Sequence, residues 1–212
     1  LDIMVSDTGV IENQLQLMNG VLERLLEEQK ISLELIPDES FVLASDKKTK
    51  IDSMIKIREN LIGKHPKLRN KTTSNKKLET LLGNYHYYSG SHDKAISFFR
   101  SAQKFDESFL EPLFNEGFTL AKLGKHDKAI SCYDKVLKIN PQYFEAIYCK
   151  GNSLTTISKH EEALSCYDQT LKIDPHNFDS IYNKAISLEE LGKYNEAISY
   201  FDEALAFDST HH

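Results

Sequence analysis

The sequence is short of the residues that mark disulfide-stapled, all-β and membrane-spanning proteins. Three cysteines among 212 residues are too few for a disulfide framework, which favours a reducing compartment. Five prolines and nine glycines are few for an all-β domain with its many turns. No apolar run approaches the roughly 20 residues that a membrane helix needs. We therefore expect a helical protein of the cytoplasm, with no membrane partner.

Motifs that carry common enzyme chemistry are also missing. No glycine-rich phosphate loop, nucleophile elbow or HExxH pair occurs. Cys149 has no base placed to activate it, and the histidines have no partners at metal-ligand spacing. We therefore expect no catalytic residue, no metal and no cofactor. A net charge of −6 disfavours nucleic acid as a partner.

The charge distribution divides the chain into three parts. Acids outnumber bases nine to two over residues 1–45, whereas bases outnumber acids eleven to three over residues 46–77. We predict an acidic helical segment over 1–45, an amphipathic helix with a basic linker over 46–75, and a main domain over 76–210. His211 and His212 resemble the remains of a purification tag.

Two helices are predicted before the main domain. Residues 8–36 carry apolar side chains at steps of four and three, which is typical of an amphipathic helix. Packing against its own chain is the favoured interpretation of this helix, and a dimerising coiled coil is the alternative. A second helix is predicted over about 47–62, where Gly63 is a suitable C-terminal cap residue.

The main domain repeats itself at one constant spacing, without a gap. A small residue recurs at Gly83, Gly117, Gly151 and Ala185. An alanine recurs at Ala95, Ala129, Ala163 and Ala197. An aromatic residue recurs at Phe99, Tyr133, Tyr167 and Phe201. Four copies in phase predict four structural units, over 76–109, 110–143, 144–177 and 178–210.

Each unit is predicted to form two helices joined by a short turn. Gly124 and Gly192 lie between the two apolar patterns and permit the chain to reverse. Asp127 lies at the start of a second helix, where its negative charge favours the exposed amide groups. The second helices end at Asn140 and Asp174, because each precedes a proline. A single hairpin cannot bury its apolar side, so neighbouring hairpins must stack.

These columns resemble the tetratricopeptide repeat family over residues 76–209. The resemblance implies an all-α fold, namely a right-handed superhelix of tandem helix–turn–helix hairpins, here preceded by non-repeat helices. The first unit departs from the family pattern, with Glu79 where a large apolar residue is usual. Cys132 and Cys166 share one column and are predicted to be buried core thiols, and His126 and His160 share a column at the inter-helix turn.

The family also implies a function, that of a non-enzymatic scaffold or adaptor that holds a peptide or helix in a concave groove. The first helix of each unit would line this groove. The residues expected to bind the partner are Asn84, Tyr87, Phe114, Asn115, Phe118, Tyr148, Asn152, Tyr182, Asn183 and Ile186. Acids near these positions favour a basic or neutral polar partner.

One known function within the family is rejected. Members that grip the C-terminal carboxylate of heat-shock chaperones use three cations and two asparagines at fixed columns. Asn84 and Asn115 match the asparagine columns, but the cationic columns hold Thr80, Glu145 and Cys149. Without cations, a terminal carboxylate has no charge-assisted partner.

Two other functions remain open. Nothing after the last unit covers its apolar face, so either the native chain extends beyond Thr210 or this face serves self-association. The chain could thus be a homo-oligomeric assembly module, through this face or the predicted helix over 8–36. It could also be the regulatory arm of a longer enzyme.

Overall fold

A computed structural model describes residues 76, 79, 80, 82–84, 86, 87 and 90–209, with side chains up to Ala206. The helices predicted over 8–36 and 47–62, the basic linker and the tag-like residues 211–212 lie outside this part of the chain. The division into 1–45, 46–75 and 76–210 therefore stays a prediction.

The described residues are helices joined by turns, without a strand. From residue 90 onward the helices are α1 (His92–Phe105), α2 (Leu110–Lys122), α3 (His126–Ile139), α4 (Phe144–Thr156), α5 (His160–Ile173), α6 (Phe178–Glu190) and α7 (Tyr194–Ser209). The even-numbered helices are the first helices of their repeats, and the odd-numbered helices are the second. The predicted all-α fold is confirmed. Among the described residues, we find no helix with the length and hydrophobicity of a membrane span.

The turns form where the sequence predicts them. Gly124 and Gly192 have φ angles of +71° and +73°, in the left-handed region that glycine enters without strain. Ser158 occupies the same place in the third repeat and adopts a φ of 60°, which is uncommon for a residue with a Cβ atom. Asn140 and Asp174 end α3 and α5 in extended conformations, as expected for residues that precede proline.

The described residues belong to two compact units, one ending at Pro112 and the other beginning at Leu113. In the compact unit that begins at Leu113, successive helices pack on each other: α3 contacts α4, α4 contacts α5, α5 contacts α6 and α6 contacts α7. The first helices α4 and α6 also contact each other. This nearest-neighbour packing is typical of stacked helical repeats.

The constant spacing of the columns corresponds to a repeated core. Tyr133 and Tyr167 are fully buried, and Cys132 and Cys166 are buried beside them, which confirms the predicted core thiols. A Cβ atom on Gly151 would lie only 2.8 Å from Cε1 of Tyr167. The small and aromatic columns are therefore complementary, because the missing side chain makes room for the ring.

In the first repeat, Gly83 makes the corresponding close approach to Phe99. Glu79, which stands where the family usually has an apolar residue, is also buried in this repeat.

Candidate functional site

In the compact unit that begins at Leu113, the first helix of each repeat carries two aromatic side chains four residues apart, which places the pair on one helix face. The rings stack in three pairs, with interplanar angles of 28°, 8° and 7°: Phe114 with Phe118, Phe144 with Tyr148, and Phe178 with Tyr182. We call these six side chains the aromatic face. Phe118, Phe178 and Tyr182 leave 43%, 43% and 44% of their surface in contact with solvent, so this face offers apolar area to a partner.

A chain of hydrogen bonds lies beside the aromatic face and joins α4, α5 and α6. Oδ1 of Asn152 accepts bonds from the Tyr167 hydroxyl at 2.9 Å and from Nδ2 of Asn183 at 3.2 Å. Nδ2 of Asn183 also donates to the Tyr148 hydroxyl at 2.9 Å. The Thr155 hydroxyl lies 3.1 Å from the Tyr167 hydroxyl. The sequence led us to expect the two asparagines to bond a ligand, and the structure shows them already bonding their neighbours.

The other expected groove residues are divided between the two compact units. Ile186 is half-buried and lies one turn beyond Tyr182 on α6. Asn115 is half-buried on α2, where its carbonyl accepts a 2.7 Å bond from the Thr119 hydroxyl. Asn84 and Tyr87 lie in the unit that ends at Pro112, and the Tyr87 ring contacts His92 there at 5.3 Å.

The aromatic face also carries negative charge. Glu145 and Asp179 lie in the first turns of α4 and α6, and exposed Glu189 and Glu190 end α6. Burial raises the pKa of the Tyr148 hydroxyl, and the charge of Asp179 raises it further. A cationic group bound beside Tyr148 would therefore be favoured, and an anionic group would be repelled.

Cys149 lies next to Tyr148 but is poorly suited to act as a nucleophile. Burial and the neighbouring Glu145 carboxylate raise the pKa of this thiol to about 12. The thiolate, which is the reactive form, is therefore scarce at neutral pH.

We expect Cys149 to react with iodoacetamide about tenfold or more slowly than free cysteine at pH 8, because a raised pKa and burial both slow the attack. Mass spectrometry of the peptide containing Cys149, sampled over time in the folded protein, measures this rate. Labelling in denaturant is the control and should be fast. Equal rates in the folded and denatured protein would contradict the assignment.

Two ion pairs connect successive repeats. Nζ of Lys150 on α4 lies 2.6 Å from the Asp134 carboxylate on α3. Nζ of Lys184 on α6 lies 2.6 Å from the Asp168 carboxylate on α5. The two pairs occupy equivalent positions one repeat apart, so each joins the second helix of one repeat to the first helix of the next.

Sequence reasoning missed Phe144 and Phe178 as members of the aromatic face. The signal was present, because these residues share one repeat column and each lies four positions before an expected groove residue. The ion pairs were also missed. Their signal was a column of aspartates in the second helices, followed by a column of lysines in the first helix of the next repeat.

Stacked helix pairs with repeated small and aromatic columns define an α-helical repeat protein. The sequence model of the tetratricopeptide repeat matches residues 111–143 and, in a second version, residues 166–199. The chain therefore contains tetratricopeptide repeats, as its resemblance to that family suggested.

Solved structures of MamA have the same fold. A MamA fragment from Desulfovibrio magneticus RS-1 is 24% identical, with a TM-score of 0.63, and the match covers 66% of this chain and 78% of that one. Another MamA crystal structure is 21% identical, with a TM-score of 0.66, and the match covers 77% and 92% of the two chains. A search of curated proteins gave no match. The repeats and their fold support a general role as a protein-interaction scaffold.

Proposed function

We propose that the chain is a non-enzymatic cytoplasmic adaptor that holds a peptide or a helix of a partner protein against the aromatic face. The observation that carries this proposal is the exposed Phe178–Tyr182 stack beside the bonded Asn152–Asn183 pair. Stacked rings supply a large contact area and lose little conformational freedom on binding.

The hydrogen-bond network supports binding because it orders the polar side chains beside the aromatic face. Bonds among Tyr148, Asn152, Tyr167 and Asn183 connect three helices, so these side chains are ordered before a ligand arrives. A preorganised site avoids the entropy cost of ordering its side chains during binding.

The nearby carboxylates define the chemistry of the partner. Asp179 lies close enough to Tyr148 to affect the titration of its hydroxyl, and Glu145 occupies the corresponding place on α4. A lysine or arginine could contact both a ring and a carboxylate at this position. We therefore propose a basic or neutral polar segment as the ligand, bound with its apolar side chains on the exposed rings.

Removing the exposed ring pair tests the proposal. In the double variant Phe178→Ala/Tyr182→Ala, we expect the affinity for the bound segment to fall about 30-fold or more, because paired aromatic anchors commonly dominate an interface. Peptides selected from a random display library against the whole chain supply the probe. Isothermal titration calorimetry with a selected peptide measures the affinity of both proteins.

A matched control separates binding from folding. Ile173 is 41% exposed at the end of α5, a second helix that contributes no side chain to the aromatic face, and Ile173→Ala should leave the peptide affinity unchanged. Circular dichroism should show the same helix content in all three proteins. Equal binding by the wild-type and the double variant would refute the aromatic face as the site. Asn152→Ala is less informative, because it would also remove an acceptor from the buried Tyr167 hydroxyl.

A further inference from the structure

The last helix, α7, has a second apolar surface that lies outside the aromatic face. Ile198 and Leu205 are 57% and 66% exposed, and Asp202 lies between them at helical spacing. We call these three residues the α7 end face. Among the described helices, α6 packs against α7.

The same positions are covered in the second repeat. Ile130 and Leu137 of α3 stand in the same repeat columns as Ile198 and Leu205, and both are half-buried. They pack against a core that includes Ile147 and Leu154 of α4. The surface that corresponds to the α7 end face is therefore, in the second repeat, a docking surface for the first helix of the next repeat.

The acidic residue of the α7 end face also recurs at the repeat spacing. Asp202 belongs to one column with Asp134 and Asp168. Each of those two aspartates pairs at 2.6 Å with a lysine of the helix that covers it. No lysine among the described residues pairs with Asp202, so the α7 end face presents a carboxylate whose equivalents, Asp134 and Asp168, each pair with a lysine.

The two covering helices define what this surface accepts. Both α4 and α6 carry the pattern Ile-x-x-Lys-small-x-Ser-Leu, at residues 147–154 and 181–188. In both helices the isoleucine, the small residue, the serine and the leucine are buried, and the lysine reaches the aspartate of the neighbouring helix.

We propose that the α7 end face binds an amphipathic helix of a partner protein that carries this pattern, with its lysine paired to Asp202. The copies of the pattern in α4 and α6 are buried within their own stack, so a second copy of the chain could not offer them without unfolding. The occupant in this proposal is a helix of a different molecule, and this surface is separate from the aromatic face.

A peptide copied from α6 tests the proposal. Residues 177–191, held helical by a lactam bridge on the solvent side and labelled with fluorescein, serve as the probe because free helices of this length are marginal in water. Fluorescence anisotropy with the whole chain should show saturable binding. In the protein variant Asp202→Lys we expect affinity to fall about tenfold or more, because the lysines then repel each other.

A charge exchange identifies the ion pair. The peptide variant Lys184→Glu should bind wild-type protein weakly and should recover its affinity on the Asp202→Lys protein. Glu161→Lys, an exposed charge reversal on α5, is the matched control and should leave binding unchanged. The Phe178→Ala protein should bind this probe normally, which separates the result from that for the aromatic face.

Three results would overturn the proposal. The first is no saturable binding of the wild-type peptide, and the second is binding that survives the Asp202→Lys/Leu205→Ser double variant. The third comes from sedimentation velocity of the chain alone. If the wild-type protein dimerises and Leu205→Ser makes it monomeric, a second copy occupies the α7 end face and the partner helix is wrong.

Discussion

Replacing Tyr167 by alanine is expected to destabilise the protein by about 3–5 kcal/mol, the usual range for removing a fully buried aromatic side chain. The Tyr167 ring has no exposed surface and packs within a cluster that includes Ile147, Leu154 and Cys166. Its hydroxyl also donates to Asn152. Alanine would leave both a cavity between α4 and α5 and an unmade hydrogen bond.

Urea unfolding followed by circular dichroism at 222 nm measures this loss. With a slope of about 2 kcal/mol per molar urea, the midpoint should fall by roughly 2 M. Tyr167→Phe is the matched control, because it keeps the ring and removes only the hydroxyl, at a cost of about 1 kcal/mol. Equal midpoints for Tyr167→Ala and Tyr167→Phe would show that the ring does not hold the two helices together.

The fold could be predicted because the residues that determine helix packing and turns recur at one fixed spacing. The glycines at 117 and 151, each followed at the same distance by the tyrosines at 133 and 167, predict a close helix pair with a ring in the gap. The structure has this contact in both repeats. The turns at Gly124 and Gly192 were predicted for a similar local reason, since a left-handed residue is needed there.

The side-chain partners could not be predicted in the same way. The resemblance to the repeat family implies that Asn152 and Asn183 lie on the inner face of their helices, but it does not say which atoms meet between two adjacent repeats. The bond between these asparagines depends on the packing of α4 against α6. The left-handed Ser158 was also missed, because the residue type gives no signal and only the alignment with Gly124 and Gly192 could have revealed it.

At the helix starts, the structure also differs in detail from the sequence prediction. Asp127 lies in the first turn of α3, as predicted, and Glu161 lies in the first turn of α5. The N-cap positions themselves are held by Lys125 and Lys159, which make no side-chain capping bond. The acids therefore act through their charge near the helix N-terminus, and not as capping residues.

Replacing Gly151 by leucine is expected to cost about 3 kcal/mol, at the upper end of the usual range for overpacking a core. A Cβ atom at this position would already lie 2.8 Å from the Tyr167 ring and 3.2 Å from Cβ of Cys166. The further atoms of leucine would force α4 away from α5. That movement would lengthen the bond between Tyr167 and Asn152, which lies next to the substituted residue.

Two measurements check this result. Urea unfolding gives the loss of stability, and titration with a selected peptide shows whether the aromatic face is also disturbed. Gly151→Ala is the control, since alanine occupies the same column at 185 and gains about 1 kcal/mol in helix propensity over glycine. We expect a far smaller change for alanine than for leucine. If Gly151→Leu unfolded at the wild-type urea concentration, the close approach of α4 and α5 would not determine how these repeats stack.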